Sequence, residues 1–237
     1  MLYHIVISHN QTEHISKFPK GSVFVFDEPT GADTLECDKY GNPYVLVPQT
    51  GNRGMNRNAG LSYVLSHYNV MDDDIIEFFD GDRFPKEYNP TKVIELMDKH
   101  NLSVMLYSCE HDKRHHKVYV PLSNGATIVD TGTLCNPFYS CGFAIRVSAI
   151  KKIMEYNDGY FFEPRFTRWG SEDQYIGLVC DYLNLKVAIT LDVTLNGNVG
   201  GDELKHTDYR ESLQQYINIV MAHNLPIRNQ SRPFETI

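Results

Sequence analysis

The run 75–85, Ile-Ile-Glu-Phe-Phe-Asp-Gly-Asp-Arg-Phe-Pro, constrains the fold more than any other stretch of the chain. Four of its first five residues are apolar, and the run stops abruptly at Asp80 and Asp82. An apolar run of this length ending in acids predicts a strand of a parallel sheet, buried on both faces and terminating at Asp80. In open α/β sheets, ligands bind just beyond the carboxyl ends of such strands. Gly81 between the acids is expected to let the chain turn, so that both carboxylates reach one cation. Hard ions such as Mg²⁺ or Mn²⁺ prefer oxygen ligands of this kind and keep positions open for phosphate oxygens. An Asp-Gly turn that merely closes a strand fits the same residues.

The flanking sequence reads as alternating strands and helices. Strands are predicted at 3–8, 22–26 and 44–47, with Asp27 closing the second. An acid at that position suits hydrogen bonds from a nucleoside, or simply starts a turn. Residues 31–43 are polar and read as a loop. The segment 50–60, Thr-Gly-Asn-Arg-Gly-Met-Asn-Arg-Asn-Ala-Gly, opens a helix marked by Leu61, Val64, Leu65 and Tyr68. A helix start offers free N–H groups and a positive dipole end, and Arg53 and Arg57 add charge there. The combination suits a diphosphate, or a capped helix with surface arginines.

The acidic turn 71–74, Met-Asp-Asp-Asp, reads as solvated punctuation, 91–100 as a helix and 102–107 as a strand. The loop 111–117 is rich in His, Lys and Arg, and short strands are expected at 118–120 and 126–129. A small-residue strand covers 139–146, Ser148 caps the helix after it, and further elements follow at 175–183 (helix), 186–191 (strand) and 208–223 (helix). At the start of the 175–183 helix, Ser171 and Gln174 have capping-box spacing, and acids in a first turn suit the helix dipole.

The order of Asp27, Arg57-Asn58, Asp80-Gly81-Asp82 and Trp169-Gly170-Ser171-Glu172-Asp173 resembles the GT-A class of nucleotide-sugar glycosyltransferases over roughly residues 3–207. The first half is similar to inverting GT-A enzymes, with an R-N-x-G segment (57–60) and a DxD motif (80–82). The second half is similar to the galactosyltransferase-type region, with a small-residue strand (140–144) and a W-G-G-E-D segment. Ser171 departs from the usual glycine there. The resemblance implies one domain with a Rossmann-like, mostly parallel central sheet flanked by helices. Residues 1–110 would form the nucleotide-sugar half, 111–225 the acceptor half and 226–237 a tail.

It also implies roles. Ser8, Asn10, Asp27, Arg57, Asn58, Asp80 and Gly81 would bind a donor, most simply a UDP-sugar. Asp80, Asp82 and His206 would hold Mn²⁺ or Mg²⁺, Asp173 would be the general base, and Glu172, Trp169 and Gly170 would receive the acceptor. The expected acceptor is a saccharide. The alternative is a hydroxymethylated base in DNA, suggested by Lys113, Arg114, Lys117, Arg165 and Arg168. A net charge of −8 argues against general polyanion binding. From another class, a DxD phosphohydrolase or a non-catalytic sugar-nucleotide-binding module would share the acid pair. Residues 1–4 carry no basic signal-peptide start and no run of about 18 apolar residues occurs, so neither stem nor membrane anchor is expected. Five cysteines without a CxxC pair read as reduced thiols of a cytoplasmic protein.

Overall fold

The computed structural model describes residues 1–8, 12–27, 29, 31–48, 52–109, 119–121, 127–129, 141–167, 172–196, 209–223, 225 and 235–236. Strand β4 (Ile75–Asp80) lies inside the sheet, with β1 (Leu2–Ser8) parallel on one side. Beyond β1 come β2 (Val23–Phe26) and β3 (Tyr44–Leu46), also parallel. On the other side of β4, β9 (Gly142–Arg146) runs antiparallel, between β4 and β6 (Val104–Cys109). β10 (Val187–Asn196) is parallel to β6 and continues to β11 (Glu235–Thr236), β8 (Thr127–Val129) and β7 (Tyr119–Pro121). The parallel character is therefore confined to two blocks, and the inserted β9 makes the sheet as a whole mixed. The small strand β5 (Phe84–Pro85) pairs antiparallel with the end of β10.

Alternation along β4 divides the core. Ile76 and Phe78 face one cluster with α2 (Arg53–His67), α4 (Val147–Tyr156), α5 (Glu172–Tyr182) and α6 (Tyr209–Ala222). Ile75 and Phe79 face the other, with α1 (Gly31–Tyr40) and α3 (Pro90–Lys99). Burial on both faces is what a near-continuous apolar strand requires. The exception within β4 is Glu77, wholly buried. The hydroxyls of Tyr88 and Tyr107 donate to its carboxylate, and His4 Nε2 lies 3.1 Å away. These partners compensate the desolvation that an isolated carboxylate would suffer, and they tie β4 to the segment that follows the Asp-Gly-Asp turn.

Several sequence expectations change. Residues 31–40 are helix α1 rather than loop. The helix buries only Asp33 and Cys37 while Leu35 stays 69% exposed, so its apolar stripe is too thin for periodicity to find. Ser148 is not the cap of α4: the strand β9 runs straight into the helix, and Arg146 occupies the cap position without a side-chain bond to the helix N–H groups. The first N–H groups are instead taken by carbonyls of the acidic turn, Val147 to Asp74 at 2.9 Å and Ser148 to Asp72 at 3.0 Å. That turn is structural, and Asp74 within it is buried. Strand β10 also runs further than 186–191, with a register break between Thr190 and Thr194. Among the described residues no helix is long and apolar enough to cross a membrane.

α2 sits very close to the sheet at Gly60, where a Cβ would meet Ile5 Cγ2 at 2.5 Å and Val25 Cγ2 at 2.8 Å. Alanine would gain about 1 kcal/mol of helix propensity over glycine. The clash is with branched side chains on two buried strands, where overpacking costs about 1–3 kcal/mol. Gly60→Ala is therefore expected to lower the urea midpoint of unfolding. A raised midpoint would show that α2 can lift from the sheet freely.

Candidate active site

Consecutive residues of a helix point about 100° apart, and α2 uses this to bind three partners in one turn. Its N-cap is Asn52, whose side chain accepts from Met55 N at 3.0 Å. Asn56 Nδ2 donates to Asp27 Oδ2 at 3.2 Å, joining the end of β2 to the helix. Arg57 Nη2 donates to Asp80 Oδ1 at 2.6 Å, and Nη1 lies 3.5 Å from Glu172 Oε1. Asn58 pairs both ways with Phe162, donating to its carbonyl at 2.7 Å and accepting from its N–H at 2.9 Å. The helix start thus collects the ends of β2, β4 and α5.

The Asp-Gly-Asp turn is held from several sides. Gly81 N donates to Ile7 O at 2.6 Å, and its carbonyl meets His14 Nδ1 at 3.2 Å. Arg83 N closes the turn onto Asp80 O at 2.8 Å. Gly81 is not among the residues with positive φ, so the turn does not draw on glycine's conformational freedom. The register Ile7↔Asp80 places Ser8, buried at the end of β1, level with the turn.

Electrostatics distinguish the two acids. Burial first, then the neighbouring Asp80 charge, push the Asp82 carboxyl up, while Arg83 and Arg53 pull the other way. Asp80 instead shares Arg57, with Arg53 Nη1 3.8 Å from its other oxygen. Burial opposes the Arg57 charge, but Asp80, Glu172 and Asp173 outweigh it and hold the guanidinium protonated. Across the site, Glu172 is 5% exposed, and Asp173 Oδ1 accepts from Gln174 N at 2.8 Å. Asp173 is half-buried, so part of it remains accessible.

Arg57 and Asn58, two of the expected donor residues, are buried. Arg57 is 1% exposed and donates to Asp80 inside the protein. Arg53, a turn earlier, is 39% exposed. Asn58 is buried and spends its amide on the Phe162 backbone. Arg165 forks onto Glu163 at 2.7 and 2.8 Å. The expectations for Asn10, Lys113, Arg114, Lys117, Arg168, Trp169, Gly170, Ser171 and His206 lie outside the described residues. Sequence reasoning missed Asn56 and His14. Asn56 stands in the same helix-opening segment as Arg57, which was a usable signal, whereas nothing local marks His14.

Asp80 and Asp82 suit a hard divalent cation: adjacent carboxylates repel each other until a cation balances them. Among the described residues no group of three potential ligands gathers there. Because the Asp82 pKa is raised in the folded state, the stability it contributes is complete below the ordinary carboxylate pKa and is lost as pH rises through the shifted value. Asp82→Asn keeps the shape and never ionises. In EDTA it is expected to raise the melting temperature at about pH 7, with the gain vanishing toward about pH 3. An unchanged melting temperature at neutral pH would show that Asp82 is relieved elsewhere.

No family model and no curated protein matches the sequence. Solved structures do match the fold. Staphylococcus aureus TarS in complex with UDP-GlcNAc aligns with a TM-score of 0.63 at 17% identity, over 95% of this chain and 66% of that one. A longer TarS structure aligns at 0.61 and 17% over 96% of this chain, which spans 40% of its length. Mycobacterium tuberculosis glucosyl-3-phosphoglycerate synthase, crystallised with Mn²⁺, UDP-glucose and phosphoglyceric acid, aligns at 0.55 and 14%, over 95% of this chain and 80% of that one. The architecture of the chain, a curled mixed sheet with helices on both faces, is that of the GT-A glycosyltransferases.

Proposed function

We propose that the chain is a metal-dependent, inverting glycosyltransferase that moves a sugar from a UDP-sugar to a hydroxyl of a saccharide acceptor. The observation that carries this reading is the meeting of Asp80, which has Asp82 beside it, with Glu172 and Asp173 around Arg57 at the carboxyl edge of the sheet. One pair suits the leaving group and the other suits the acceptor. The GT-A fold adds support, since TarS was crystallised with UDP-GlcNAc and the mycobacterial synthase with Mn²⁺ and UDP-glucose.

In this reading Ser8, Asn10 and Asp27 receive the nucleoside, with Asp27 held in place by Asn56. Arg53 faces the diphosphate, where a planar guanidinium matches phosphate oxygens. Asp82 and Asp80 hold Mn²⁺ or Mg²⁺, which when bound stabilises charge developing on the leaving diphosphate. His206 is the proposed third ligand. Asp173 takes the proton from the attacking acceptor hydroxyl, on the sugar face opposite the leaving diphosphate, and so inverts the anomeric centre. Glu172, Trp169 and Gly170 orient the acceptor.

The test is a thermal-shift panel of nucleotides and UDP-sugars, each with Mn²⁺, Mg²⁺ or EDTA, since a ligand that binds only the native state raises the melting temperature. UDP with metal is expected to stabilise the protein, and Asp82→Ala to abolish the effect. Asp173→Asn is expected to keep that stabilisation while losing about 10²–10⁴-fold in release of sugar from UDP-sugar to acceptor or water. A folded protein that responds to no nucleotide would overturn the donor site. Full turnover in Asp173→Asn would remove Asp173 as the base.

A further inference from the structure

Among the described residues Arg57 is the largest wholly buried side chain, and it belongs to neither half of the site alone. Its fork faces Asp80 on β4 at 2.6 Å and Glu172 on α5 at 3.5 Å, so it is held closely by the first and loosely by the second. Glu172 Oε2 is buried and makes no hydrogen bond among the described residues. The Phe162 ring lies 5.3 Å from Arg57 Cζ and gives the guanidinium a flat face on its third side. One cation is therefore divided between a carboxylate expected to take a metal and a carboxylate expected to take an acceptor.

Resting on the donor-metal reading above, we propose that Arg57 is a positioning residue that couples the two subsites. A divalent cation at Asp80 and Asp82 competes for the Asp80 oxygen that Arg57 now holds, and like charge repels the guanidinium. Glu172 lies 3.5 Å away on α5, so the fork closes toward hydrogen-bonding distance there and draws in the first turn of α5, including Asp173. The acceptor side is thereby completed only after the donor-metal complex is in place. Coupling of this kind is reciprocal: whatever strengthens the hold of Glu172 on Arg57 also favours metal binding.

The experiment is a double-mutant cycle on binding. Calorimetry measures the affinity of UDP at fixed Mn²⁺ in the parent, Glu172→Gln, Arg57→Lys and the double variant, each checked for folding by its melting curve. In the parent background, Glu172→Gln removes the charged α5 carboxylate 3.5 Å from Arg57, and UDP–Mn²⁺ affinity is expected to fall about fivefold or more. Lysine keeps the charge but cannot span two carboxylates as a fork. The Glu172→Gln effect is then expected to shrink to within about twofold in the Arg57→Lys background. An equal loss in both backgrounds would show that the effect is through-space charge and would overturn the relay.

If Arg57→Lys does not fold, Asp173→Asn supplies the control, because it removes a neighbouring charge from the same turn without the 3.5 Å contact. The relay requires Glu172→Gln to weaken UDP–Mn²⁺ clearly more than Asp173→Asn, and equal losses would sink it. A parent protein that binds no UDP with Mn²⁺ would instead overturn the donor reading itself.

Discussion

A guanidinium sealed from water must be neutralised by groups already in place, because removing one partner of a buried pair typically costs about 3–5 kcal/mol. Arg57 imposes that condition on this fold. Its partners come from β4 and α5, its ring contact from Phe162, and its own helix from a third part of the chain. None of these elements can shift far without leaving an unpaired buried charge. The same residue explains why the acids stand where they do. Asp80, Glu172 and Asp173 together balance the internal cation, and Asp82 lies beside Asp80, where burial and that neighbour push its carboxyl up.

Around this charge, α2 behaves as a spine. Gly60 brings it onto β1 and β2, Asn56 fixes the end of β2, and Asn58 pins the 161–164 segment through two backbone bonds. That segment is braced in turn by Glu163, which holds Arg165 and lies 3.3 Å from His223 beyond α6. The halves on either side of α2 therefore form one packed unit rather than two lobes. Under the turn, His14 and Ile7 hold Gly81, while Glu77 with its two tyrosines holds the strand and the following segment. A site that must hold carboxylates close together against their repulsion needs such support from below.

Legibility in the sequence followed locality. The central strand, its acidic end and the helix that follows Asn52 were readable because apolar periodicity and cap chemistry are written in neighbouring residues. α1 was not readable, since a helix that buries two residues leaves almost no stripe. The cap of α4 was misread because its first N–H groups bond to carbonyls of Asp72 and Asp74, far away in sequence. Within the site, the acids were legible as a motif, but the division of labour between the arginines was not. Arg53 and Arg57 sit one turn apart on the same helix, and only packing makes one buried and the other exposed.

By itself, then, the sequence determined that an apolar strand would end in Asp80-Gly81-Asp82, that a capped helix would bring arginines near it, and that a second helix would begin with Glu172 and Asp173. These are short-range facts, encoded by spacing and side-chain type. The tertiary structure decided which of those charges are spent on one another. Asp80 lies 23 residues from Arg57, and Phe162 lies 104 residues from Asn58. Whether a guanidinium becomes a ligand contact or an internal brace depends on the desolvation it meets and on the partners that arrive from such distances. No local pattern contains that information.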